Sequence, residues 1–161
     1  DMYEALRQTD KDGGSNIEKK DGVDKYELVA SAQNNDKNNG LARLKAAYPN
    51  SIWTKYITAG HTSRNTNSMP FVLNYIRKAS RLSGYNLFPF FERWGFLRQV
   101  AMYIGDYGNG WCVFPKAAYD EFKADMDELV AKGVLKEMPE GMVEEISNTA
   151  DRFMPKPVFP N

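Results

Sequence analysis

The chain has one histidine, His61, and one cysteine, Cys112. A metalloprotease helix needs H-E-x-x-H: two His one turn apart grip the metal, and the Glu takes a proton from the zinc-bound water. His61 is followed by Thr62 and Ser63. A zinc site with two His ligands therefore cannot be assembled from this chain, and His61 reads as a surface or capping residue in a loop. Cys112 and His61 are also the only pair available for a Cys–His nucleophile. Cys112 lies between Trp111 and Val113 in a predicted strand, where a buried thiol is inert.

Two acidic segments invite a chemical reading. The run from Asp10 to Glu18 offers Asp10, Asp12 and Asn16 as oxygen donors for calcium. An EF-hand loop wants oxygens at its first, third and fifth positions, Gly at the sixth, an apolar residue at the eighth and Glu at the twelfth. Counted from Asp10, the fifth position is Gly14, the sixth is Ser15 and the twelfth is Asp21. A solvated loop fits this segment better than a tight calcium site. The second segment holds Asp120, Glu121, Asp125, Asp127 and Glu128. At helical spacing these mostly fall opposite an apolar stripe, so they read as a solvated face with its early acids near the favourable helix start.

Tyr103, Asp106, Tyr107 and Trp111 form a third candidate group. Exposed Tyr and Trp rings bind sugar faces and peptide side chains, and Asp106 would add a hydrogen bond. Yet one face of the segment must pack on a core, so most of its rings are expected inside.

The elements that must position these residues are mainly helical. Val100 to Phe114 is the exception. Its aromatic and β-branched residues flank Asn109-Gly110, which predicts a β-hairpin. Met69 to Ser83 is a helix with Pro70 in its first turn, a stripe of Val72, Tyr75, Ile76, Ala79 and Leu82, and Gly84 as its stop. Leu87 to Trp94 is a short aromatic helix with Pro89 in its first turn and Gly95 after it. Pro115 opens a helix to Lys132 with the stripe Ala118, Phe122, Met126, Leu129 and Val130, and Gly133 closes it. Residues 1–50 are more polar, with loops at Thr9–Gly22 and Asn34–Gly40. Between and after them lie helices at Val23–Ala32 (face Val23, Tyr26, Val29, Ala30) and Leu41–Tyr48. A helical turn is expected at Ser51–Ile57, a short helix near Glu140–Asn148, and an extended, proline-rich tail from Met154. The expected fold class is mainly α: a bundle-like single domain with a small hairpin at about 100–114.

Bulk properties bound the function. A chain of 161 residues, 42% hydrophobic and 13% aromatic, is globular in composition. Lys plus Arg equals Asp plus Glu at 21 each. No general field draws in nucleic acid or an anionic membrane. No apolar run approaches the roughly 20 residues that span a bilayer. One cysteine excludes an intrachain disulfide, which fits a reducing compartment or a secreted bacterial protein that uses none. The chain opens on Asp1 without an initiator Met, and it reads as a fragment of something longer.

Within Tyr85–Gly95, an Asn86-Leu87 pair, the Phe90-Phe91 pair and Trp94-Gly95 follow in close succession. This block resembles the C-terminal block of the enhancin-like zinc metallopeptidases, secreted or surface gluzincins that act on mucins and other glycoproteins. The ending Pro157 to Asn161 is similar to the ends of some gut-bacterial members, so the similarity covers Met69–Asn161, over half the chain. The resemblance implies that the zinc ligands and catalytic Glu lie upstream, in a part of the parent that would be this chain's partner. It implies zinc in the parent and none here, and a secreted or cell-surface location. It gives Asn86, Leu87, Phe90, Phe91, Trp94 and Gly95 a scaffolding role, with Asn86 capping a helix whose rings are buried. Such a fragment should carry a large apolar patch where the missing half docked. The competing expectation is a non-enzymatic glycan- or peptide-binding module that uses the hairpin. A domain with no ligand is the third.

Overall fold

In the computed structural model, residues 24–33, 39–57, 68–104 and 110–146 are described. The architecture is mainly helical with one two-stranded antiparallel sheet. The elements are α1 (Lys25–Gln33), α2 (Gly40–Ala47), α3 (Trp53–Tyr56), α4 (Met69–Ser83), α5 (Phe88–Arg93), β1 (Val100–Ile104), β2 (Gly110–Phe114) and α6 (Lys116–Ala131). A further helical turn covers 142–146.

α1 packs against both α2 and α4. That position explains its burial. Tyr26, Leu28, Val29, Ala30, Ala32 and Gln33 are all buried, well beyond the single expected face. Asn39, before α2, has φ 57°, a left-handed conformation that Asn tolerates. Leu44 and Trp53 are fully buried and anchor α2 and α3.

α4 starts and stops where its Pro and Gly predict. Pro70 sits in the first turn, and Gly84 adopts φ 76° and donates its N–H to Ser80 O at 2.9 Å. The buried face is rotated from the expected one: Ile76 and Ala79 are buried as expected and Val72 is partly buried, but the other two members of the stripe are not. Met69, Leu73, Ile76, Ala79 and Ser80 point inward, while Tyr75 and Leu82 stand in solvent. The inner face meets α1 and the residue before it, where Asp24 and Tyr26 engage Arg77.

The hairpin pairs Val100 with Phe114 and Met102 with Cys112. Phe114 is fully buried, and β2 is the strand that meets α4. Cys112 is half-buried rather than fully enclosed, because it sits on the strand between the core and the tip. α6 follows the expected stripe closely: Ala118, Phe122, Met126 and Leu129 are buried. Phe122 is a hub of the core, edge-on to Tyr26 at 4.8 Å and tilted to Phe88 at 5.9 Å. α6 ends in a Schellman motif. Gly133 (φ 70°) donates to Val130 O, and Val134 donates to Leu129 O. The chain then returns alongside 84–86 in a single parallel bridge, Tyr85 with Lys136.

Candidate functional surface and a buried polar network

The block from Tyr85 to Gly95 is held from three sides. Lys136 donates to Gly84 O at 2.9 Å, and Asn86 N–H donates back to Lys136 O at 2.8 Å. The first amides of α5 find side-chain acceptors. Leu87 N–H donates to Ser80 Oγ at 3.2 Å, and Phe88 N–H donates to Asn86 Oδ1 at 3.1 Å. Both acceptor residues are buried. Asn86 thus acts as the expected cap, from one position before the Ncap residue Leu87. At the other end, Gly95 (φ 80°) donates to Glu92 O and Phe96 donates to Phe91 O. This is a second Schellman motif, and the Phe91 and Phe96 rings meet edge-on at 5.5 Å as its apolar clasp.

The rings of the block divide between core and solvent. Phe88 and Phe91 are buried, Leu87 and Phe90 partly so. Trp94 is not buried as expected: it is 43% exposed, tilted against Phe90 at 5.5 Å. A helix of six residues has room to turn only one side inward, and Phe88 and Phe91 occupy it. Phe96 at 50%, Tyr75 at 44% and Phe71 at 39% are also exposed. Tyr75 meets Phe91 edge-on at 6.0 Å, which joins the outer face of α4 to α5. Phe71, Tyr75 and Leu82 recur along one side of α4. The result is an exposed aromatic surface supported from below by Phe90 and Phe91. On the far side of α5, an open groove of about 350 Å³ runs between Pro89, Arg93 and the 137–144 segment. Its rim carries Glu137, Glu140 and Glu144, with Arg93 Nη1 3.5 Å from Glu144.

The acidic face of α6 splits in two. Asp120, Asp127 and Glu128 are solvated, each paired one turn away with Lys116, Lys123 and Lys132. Glu121 and Asp125 turn toward α1 instead of solvent. Lys25 Nζ lies 2.8 Å from Glu121 Oε1 and 2.6 Å from Asp125 Oδ2. The Tyr26 hydroxyl donates to Asp125 Oδ2 at 2.6 Å. Ser51 Oγ and Ile52 N–H both donate to Glu121 at 2.7 Å. On the other side of Tyr26, Arg77 Nε donates to the buried Asp24 carboxylate at 2.8 Å. Burial, then the Asp125 charge and hydrogen bond, hold the Tyr26 hydroxyl well above its ordinary range. Burial works to lower Arg77, but Asp24 outweighs it, so the guanidinium sits above its ordinary value. A phenol held neutral in this way is neither nucleophile nor base. The network ties α1, α4, α6 and the 51–52 turn together. Its signal was present in sequence only as charges that looked solvated.

The remaining site candidates are scattered. Asp10, Asp12, Asn16, His61, Asp106 and Tyr107 lie outside the described residues. Tyr103 is 50% exposed on β1 while Phe114 is fully buried, and the Cα partner of Tyr103 is Trp111. The hairpin meets the body through Phe114 at its base. Among the described residues, no group of three or more His, Cys, Asp or Glu is arranged to hold a metal ion. No described helix is long and apolar enough to cross a membrane. Searches against known protein families, curated proteins and solved structures return no match for the chain.

Proposed function

We propose that this chain is a support domain of an enhancin-like zinc metallopeptidase, not catalytic by itself, and that its aromatic surface docks the zinc-bearing half of the same enzyme. One observation carries the reading. In the block that bears the resemblance, the inner rings are anchored in the core while Trp94 remains exposed against Phe90, and the exposed Tyr75 and Phe96 meet the neighbouring Phe91. Exposed apolar rings gathered around a shared buried pair mark an interaction site. Among the described residues no group of three or more His, Cys, Asp or Glu is arranged to hold a metal ion, and the reading assigns the metal and its Glu to the partner half. The whole enzyme would cleave secreted or surface glycoproteins with metal-activated water.

Two measurements test the reading. The coding sequence upstream of Asp1 is expected to contain H-E-x-x-H. The upstream half, expressed separately, is expected to bind this chain in calorimetry and to lose that binding with the F71S/Y75S/F96S variant. Absence of H-E-x-x-H upstream, or binding indifferent to those substitutions, overturns the proposal.

A second reading is favoured by the half-exposed Tyr103. The hairpin would then present aromatic rings to a glycan or peptide. Glycan-array screening of the wild type beside Y103A and W111A separates the two readings, since null binding by all three removes the second.

A further inference from the structure

We draw no further inference here: the strongest candidate, the open groove of about 350 Å³ between α5 and the 137–144 segment, offers only a rim of exposed carboxylates, Glu137, Glu140 and Glu144, partly answered by Arg93, and nothing in the structure shows what covers it.

Discussion

The Tyr26 hydroxyl donates to the Asp125 carboxylate at 2.6 Å across 99 positions of sequence. This bond joins the first described helix to the last long one, and Lys25 binds the same carboxylate oxygen. It lies beside the core hub, since the Tyr26 ring also meets Phe122.

Removing that hydroxyl has a predictable effect. Y26F should destabilise the fold by about 1–3 kcal/mol, because Asp125 loses a donor in a partly buried site. D125A should be coupled to it. A double-mutant cycle read by urea unfolding should give an interaction energy of about 0.5–3 kcal/mol. Additivity of the two substitutions would show that the bond contributes little.

The same residue predicts alkaline sensitivity. The folded-state pKa of Tyr26 is raised above its ordinary value of 10.0. Above that pH the unfolded chain releases the phenolic proton while the folded chain keeps it. The stabilisation is therefore complete below about pH 10 and falls as the pH climbs toward the folded value, by at most about 1.4 kcal/mol per pH unit. Tyr119, pushed up to about 12 by its hydrogen bond to Glu92, acts in the same direction, discounted for its contact with solvent. Melting temperatures of wild type and Y26F measured between pH 9 and 12 should diverge in slope, with Y26F the flatter. Parallel slopes would assign the alkaline loss elsewhere.

The start of α5 gives a third prediction. N86A leaves the Phe88 amide without its acceptor and should cost about 1–2 kcal/mol in chemical denaturation. N86D keeps the acceptor oxygen and should lose much less. S80A should resemble N86A through the Leu87 amide. Equal losses for N86A and N86D would mean that the amide nitrogen of Asn86, and not its oxygen, is what counts.

Gly84 isolates a conformational effect. A Cβ there would meet nothing within 4 Å, yet φ is +76°. G84A should therefore destabilise by about 1 kcal/mol through backbone strain alone. G84N should recover part of that, because Asn tolerates the left-handed region. A neutral G84A in thermal unfolding would show that the end of α4 relaxes.

Much of the fold was legible locally. Pro70 with Gly84, and Pro115 with Gly133, bracket α4 and α6 because a first-turn proline and a left-handed glycine act within one turn of the chain. The hairpin followed from β-branched and aromatic residues around Asn-Gly. Asn86 was recognisable as a cap because an Asx side chain reaches an amide two positions ahead.

Tertiary structure decided what faces what. α4 carries apolar residues on more than one side, so periodicity alone did not choose between Leu73 and Tyr75 for the core. The packing of α1 did. Glu121 and Asp125 have the same local setting as Asp120 and Asp127, and only the arrival of Lys25, Tyr26 and Ser51 from far upstream separates them. Trp94 and Phe96 remain outside because Phe88 and Phe91 fill the single inward side of a short helix. Propensities and caps are set by neighbours within four residues. Burial and ion pairing are set by whatever the chain brings across from tens of residues away, and that is a property of the folded whole.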